Sequence, residues 1–311
     1  MNNHLPPLVS VLIPCYNVSA YVRKAVDSIL SQSYTNLEIW IIDDASSDDT
    51  LEKIRAFKDD RIRVVSFKEN TQKVGAVNEV LQKVNGEYII FQDADDWSEP
   101  ERIEKQLKEF SKDPALGICF TNYKYVGDKT GLPDKISLTD EELRDEFLNY
   151  SYQRKKGISP TVCGTMMISK AALVKTGGYH PYFAGRVAED IQWIYRILKD
   201  FKGITIDRVL YNYYARECSL TGISSSGENP KYNYSVQLLS KIIYKDVHEG
   251  IDILNSGDPY ALKLLELEAC EEALAESKKA LNETHRVYQQ SISYKIGRFI
   301  LRPLQFLKLM K

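Results

Sequence analysis

Tyr88-Ile-Ile-Phe-Gln-Asp-Ala-Asp-Asp96 sets four apolar or aromatic residues, then Gln92, before three carboxylates, Asp93, Asp95 and Asp96. A short apolar run bounded by turn-forming residues reads as a buried strand, and the acids then fall on the loop at its carboxyl end. The chain upstream supports that reading. Residues 9–13 form a first β-rich run, and residues 19–30 carry Val22, Val26 and Ile29 with Leu30 at helical spacing. Residues 37–42 return to strand character, completing a βαβ unit. Ser47 is expected to cap a helix whose first turn holds Asp48 and Asp49, where acids suit the positive end of the helix dipole. A third strand follows at 62–65 and a helix at 71–84, with Asn85-Gly86 expected as a left-handed stop. Strands alternating with amphipathic helices predict an α/β fold with a parallel sheet covered by helices.

Polar residues recur after the strand ends: Tyr16-Asn17, Asp43-Asp44, and Asp93 to Asp96. In open α/β sheets the crevice outside the carboxyl ends of the strands receives the ligand. The first strand runs into Pro14-Cys15-Tyr16-Asn17 without a GxGxxG fingerprint, so a dinucleotide dehydrogenase is disfavoured. A divalent cation held by Asp93 and Asp95 would supply the counter-charge that phosphates need. An isolated Asp-x-Asp is commonly a solvated turn; its place after a buried strand, beside other acidic strand ends, favours a site. An EF-hand is disfavoured because no glycine follows at the required spacing.

The chain has 311 residues, 43% hydrophobic and 27% charged, with 41 Lys and Arg against 43 Asp and Glu. This balance fits a globular core with an appendage and argues against nucleic-acid binding. The five cysteines (Cys15, Cys119, Cys163, Cys218, Cys270) are scattered and form no CxxC pair, which points to a reduced protein without structural zinc. Residues 1–7 lack a secretory apolar stretch and no apolar run reaches spanning length, so a cytoplasmic location is expected.

Four ordered segments, Val9-Ser-Val-Leu-Ile-Pro-Cys-Tyr-Asn17, Ser28-Ile-Leu-Ser-Gln-Ser-Tyr34, Ile41-Ile-Asp-Asp-Ala-Ser-Ser-Asp-Asp-Thr50 and Gly86-Glu-Tyr-Ile-Ile-Phe-Gln-Asp-Ala-Asp-Asp96, span nearly all of residues 8–110. Together they resemble the nucleotide-binding half of family-two glycosyltransferases. The resemblance implies a GT-A fold, a Rossmann-like nucleotide-diphospho-sugar transferase architecture, and inverting transfer from a nucleotide-diphospho-sugar donor, first of all a UDP-sugar. It assigns Pro14, Tyr16 and Asn17 to the nucleoside pocket and Asp44 to the base edge. Asp93 and Asp95 would carry the diphosphate with Mn²⁺ or Mg²⁺. Without it, Pro14 reads as a strand end, Tyr16 as packing and Asp43 as a loop cap.

Downstream, residues 161–169 read as a strand, 170–175 as a short helix and Gly177-Gly178-Tyr179 as a turn. Glu189-Asp190 then opens an amphipathic helix through Ile191, Ile194, Ile197 and Leu198. Acids at a helix start often only complement its dipole. Here the order strand, Gly-Gly-aromatic, Glu-Asp-x-x-Trp-x-x-Arg resembles the acceptor-side motif of the same family, which makes Asp190 the general base and Glu189 the next candidate. Such a base is needed because an acceptor hydroxyl is a weak nucleophile until its proton is taken. Arg216 stands where relatives often carry histidine; it cannot ligate a metal and is read as a phosphate contact. Arg186 and His180 precede Asp190 in a loop and read as solvated, or else as donor or acceptor contacts.

The expected organisation is a catalytic domain over residues 1–225, split into a donor half (8–110) and an acceptor half (111–225), then a helical extension (226–290) and a basic tail (291–311). Leu267, Cys270, Leu274 and Leu281 lie near heptad spacing, weakened by Ser277 and Thr284, so this helix either docks on the core or pairs two chains as a homodimer. The tail sets Lys295, Arg298, Arg302, Lys308 and Lys311 opposite a largely apolar face, with no acidic residue. It suits an anionic membrane surface, placing the protein on the inner face near a lipid-linked or other glycan acceptor, or a helix docked on the core. A nucleotide-sugar-binding protein without catalysis remains an alternative. A sugar nucleotidyltransferase is disfavoured, since no Gly-rich basic loop follows the first strand.

Overall fold

The computed structural model describes residues 5–127, 138–148, 163–186, 188–215, 230–256 and 258–290. Arg216, Cys218 and the tail 291–311 lie outside the described residues. In chain order the elements are β1 (Val9–Cys15), α1 (Val22–Leu30), β2 (Leu37–Asp43), α2 (Thr50–Arg55), β3 (Ile62–Ser66), α3 (Gln72–Leu81), β4 (Tyr88–Phe91), β5 (Trp97–Ser98) and α4 (Arg102–Lys112). There follow β6 (Leu116–Gly127), α5 (Asp140–Leu148), β7 (Met167–Ser169), α6 (Lys170–Thr176), α7 (Glu189–Asp200), β8 (Lys202–Ala215), α8 (Pro230–Glu249) and α9 (Pro259–Gln290).

The eight strands form one sheet in the order β3-β2-β1-β4-β7-β6-β8-β5. The first four are parallel, with Leu12 opposite Trp40 on one side and Phe91 on the other. Every residue of β2 is buried, and all but Pro14 of β1, as continuous apolar strands between two helical layers must be. The sheet is mixed rather than purely parallel: β7 runs antiparallel between β4 and β6, and β5 antiparallel to β8. Two cores result. One, built on Val22, Val26, Ile29, Ile54, Ile103 and Phe110, lies under α1, α2 and α4; the other joins α3, α6 and α7 to α8 and α9 through Leu238, Ile242, Leu265 and Ala269.

Three local expectations are corrected. Asn85-Gly86 is not a left-handed stop, as neither residue has positive φ. Gly86 is required by close approach instead: a Cβ there would lie 2.5 Å from Ser10 Oγ, and its N–H donates to that oxygen at 2.9 Å. Ser47 does not cap α2. Asp48 accepts from the Thr50 and Ser19 N–H groups, at 3.0 and 3.1 Å, while Ser47 is engaged by Asn17. The strand expected at 161–169 shrinks to β7, preceded by a 3-10 turn at Cys163–Thr165. No helix among the described residues is long and apolar enough to cross a membrane.

Candidate active site

The parallel strands β1, β2 and β4 end side by side, so their following loops share one edge of the sheet. Asn17, at φ 52°, accepts from the Ser47 N–H at 2.8 Å through Oδ1, and its own N–H donates to Ser46 Oγ at 3.0 Å. The loops after β1 and β2 are thereby clipped together, with Pro14 partly buried and Tyr16 52% exposed beside them. Asp44 is buried, and its Oδ1 accepts from both the N–H and the hydroxyl of Thr71, at 2.8 and 2.9 Å, at the start of α3. Asp43 is buried with an Oδ1 that has no hydrogen-bond partner among the described residues.

The acidic turn after β4 rests on a buried polar scaffold. Arg102 is fully buried; it donates to Phe91 O at 3.0 Å, Ser98 Oγ at 2.9 Å and Gln106 Oε1 at 3.2 Å, and its guanidinium lies 5.0 Å from the centre of the Tyr211 ring. Burial lowers its pKa to about 10, which leaves it charged at neutral pH. Gln92 accepts from Ser98 Oγ at 2.6 Å and donates to Asp93 O at 3.0 Å, and the Asp93 N–H donates to the Tyr211 hydroxyl at 3.2 Å. Asp96 turns inward and accepts from the Tyr214 N–H at 2.7 Å. Burial, then the charges of Asp93 and Asp95, push its carboxyl well above the ordinary range. Asp93 and Asp95 stay half-buried at the site.

Lys73, on α3, carries no motif and went unnoticed in the sequence. Its Nζ lies 3.5 Å from Asp93 Oδ1. Burial disfavours its charge, but Asp93 foremost, then Cys163, Tyr179 and Glu189, outweigh it and hold its pKa well above the ordinary lysine value. Glu189 thus lies within electrostatic reach of the cation that pairs with the acidic turn. Burial first, then Asp190, push the Glu189 carboxyl up to about 7. The Asp190 Oδ1 accepts from the Ile191 N–H at 2.8 Å at the helix start. A lysine twenty residues before Asp93 on an ordinary amphipathic helix gives no sign in sequence of where it points.

The rest of the downstream motif is packing. Trp193 stacks edge-on against Phe91 and Tyr179, with ring centres 5.8 and 4.9 Å apart, and donates from Nε1 to Thr176 Oγ1 at 2.9 Å. Arg196 donates to the carbonyls of Thr176 and Gly178 and to Gln192 Oε1. Gly178 must be glycine because a Cβ would lie 2.2 Å from Asn78 Oδ1, while Asn78 clamps both the N–H and the C=O of Tyr179. These contacts fix the start of α7 against β4, so Glu189 and Asp190 are aimed by the fold. Arg186 and His180 are not solvated: Arg186 pairs with Glu266 of α9 at 3.2 Å and stacks on Tyr182, and His180 Nδ1 accepts from the Tyr182 N–H at 3.2 Å. Glu266 also accepts from the Tyr182 hydroxyl. The N-terminal half of α9 thus docks on the core and braces the loop before Asp190.

Among the described residues, no three His, Cys, Asp or Glu side chains converge as a metal cage. The arrangement can bind an anionic ligand beside two carboxylates and a lysine, and can offer a second carboxylate pair across from it.

The model of the family described as "Glycosyl transferase family 2" matches residues 10–177. The putative glycosyltransferase EpsE of Bacillus subtilis is 31% identical over 209 residues, 66% of this chain and 72% of that one. A chondroitin synthase of Pasteurella multocida is 40% identical over 125 residues, 40% of this chain but only 13% of that protein. Among solved structures, S. aureus TarS 1-349 in complex with UDP-GlcNAc superposes with a TM-score of 0.60 at 21% identity, over 86% of this chain and 71% of that one. The mannosyltransferase PcManGT of Pyrobaculum calidifontis, in complex with GDP-Man and Mn²⁺, gives 0.55 at 20% identity, over 93% and 82%. At such identities the two structures establish the GT-A fold and no more.

Proposed function

The chain belongs to glycosyl transferase family 2, and we propose that it is an inverting, metal-assisted glycosyltransferase moving a sugar from a nucleotide-diphosphate donor, first of all a UDP-sugar, to an acceptor hydroxyl in glycan assembly. The observation that carries this reading is that Lys73 pairs with Asp93 at 3.5 Å and lies within electrostatic reach of Glu189, which supports a single site bordered by the donor-side acidic turn and the Glu189-Asp190 helix start. The loops clipped by Asn17 suit the nucleoside, with Pro14 and Tyr16 beside it. Asp44 acts there by anchoring α3 through Thr71, which leaves the buried Asp43 Oδ1 as a further candidate for the base.

The donor set suits a hard cation. Asp93 and Asp95 would hold Mn²⁺ or Mg²⁺ while Asp96, buried and turned inward onto the Tyr214 N–H, would not. Two carboxylates with phosphate oxygens and water are the usual setting for such ions, so a closed protein cage is not needed. Bound there, the cation supplies charge stabilisation to the departing diphosphate. The chain's own groups do the rest. Lys73 offers a second positive charge to the phosphates. Asp190 takes the acceptor proton as the acceptor oxygen bonds to the anomeric carbon and the bond from that carbon to the phosphate oxygen breaks, giving inversion.

The test is Asp190→Asn, assayed for transfer and, by calorimetry, for binding of UDP, dTDP and GDP with and without divalent ions. Retained donor binding with transfer lowered by about a hundredfold or more supports the base. Near-wild-type turnover would return Asp190 to a dipole role and move the assignment to Glu189. Equal binding of all three nucleotides irrespective of metal would refute the metal-bridged donor.

A further inference from the structure

The 32-residue helix α9 has two faces. Leu265, Ala269 and Ala273 are buried against the core, and Lys241 of α8 pairs with Glu268 and Glu272 at 3.3 and 2.9 Å. Gln237 bonds Glu276 at 3.2 Å, and from residue 281 to 290 the helix is exposed on every side. An isolated helix of that length is marginal in water, so its outer half needs a partner. About a third of a turn around from the α8-facing stripe runs a second one: Leu267, Leu274 and Leu281, at seven-residue spacing and 56%, 54% and 68% exposed, alternating with Cys270, Ser277 and Thr284.

We propose that this stripe pairs α9 with α9 of a second copy of the chain, antiparallel. In an antiparallel two-helix seam each leucine position lies opposite a position of the small set. Leu274 then meets Ser277, Leu267 meets Thr284, and Leu281 meets Cys270 of the second copy. Every layer holds one large and one small side chain, which fills space evenly. A parallel pair would instead alternate leucine against leucine with serine against serine, leaving the small layers underpacked. Charge points the same way. Glu271 and Lys278 are exposed beside the seam, and neither makes an ion pair among the described residues. The antiparallel register sets Glu271 of each copy against Lys278 of the other, twice by symmetry. A two-fold contact of this kind closes on itself and gives a dimer, not a fibre. The seam is short, so a dimer in concentration-dependent equilibrium is the expected state. The same helix braces the Arg186 loop through Glu266, so pairing would stiffen the loop before Asp190.

Cross-linking tests the register in the full chain carrying Cys218→Ser, so that helix cysteines alone report. Leu281→Cys places a thiol opposite Cys270 of the second copy, and mild oxidation is expected to give a covalent dimer. The parent does not cross-link, because two Cys270 side chains would stand about 16 Å apart along the axis, too far for a disulfide. Sedimentation velocity gives the independent measurement. Glu271→Lys is expected to weaken the dimer about tenfold by turning two attractions into repulsions, and Glu271→Lys with Lys278→Glu to restore it. Ready cross-linking of the parent through Cys270 would establish a parallel pair and overturn the proposal. So would a chain that stays monomeric at every concentration, its seam covered from within, or a charge swap that fails to restore association.

Discussion

Glu189→Gln is a test of the electrostatics on which the site reading depends. Glu189 opens α7 half-buried, near Asp190 and Asp93, with Lys73 as its counter-charge. Burial first and Asp190 second raise its pKa from 4.5 to about 7. Between those values the folded chain holds a proton that the unfolded chain has released, so the group's contribution to stability falls as pH rises through that window. The whole displacement corresponds to roughly 3 kcal/mol, since each pH unit is worth about 1.4. Partial solvent access reduces this, and about 1–2 kcal/mol is expected. For a chain of this size that is a difference in Tm of about 2–3 °C. Differential scanning calorimetry of both proteins from pH 5 to 8, with divalent ions chelated, reads it out. The curves should already begin to part at pH 5, diverge mainly up to pH 7 and run parallel beyond it, the glutamine variant being the more stable at pH 8. Parallel curves across the range, or a wild type more stable at pH 8, would mean that Glu189 is ionised in the fold and that Lys73 dominates burial.

Tyr211→Phe removes only the hydroxyl that accepts from the Asp93 N–H; a loss of about 1 kcal/mol in stability and roughly tenfold weaker metal-dependent nucleotide binding are expected by calorimetry. Arg102→Met strips the guanidinium from Phe91 O, Ser98 and Gln106 in a fully buried setting and should cost about 3–5 kcal/mol, seen as a large drop in Tm. Glu266→Gln releases Arg186 and weakens the acceptance from Tyr182, with about 1 kcal/mol lost and faster amide exchange in residues 180–186.

The first four strands and the helices between them were legible because their information is local: apolar runs of strand length, helical spacing, and acids at a strand's carboxyl end. The positions of Asp93, Asp95 and Asp190 followed from that order together with the family resemblance. Boundaries shifted where a distant partner took the capping group, as when Asn17 engaged Ser47 and left Asp48 to serve α2. What sequence could not supply was the choice of partners across long separations. Lys73 meets Asp93 only because α3 packs over β2 and β1, beside the strand that carries the acidic turn. Arg102, Gln92 and Tyr211 form one scaffold though they come from α4, the end of β4 and β8, and β5, β6 and β8 carried no pattern strong enough to announce them. Trp193 and Arg196 belong to a motif that looks catalytic in one dimension, yet their side chains turn into the core, because helix α7 can present only its first residues to the site while the rest must bury an apolar face. The heptad in α9 left docking and pairing open as alternatives. Tertiary packing buries one stripe against α8 and leaves the leucine stripe outward, because a helix packed on one side covers only one face.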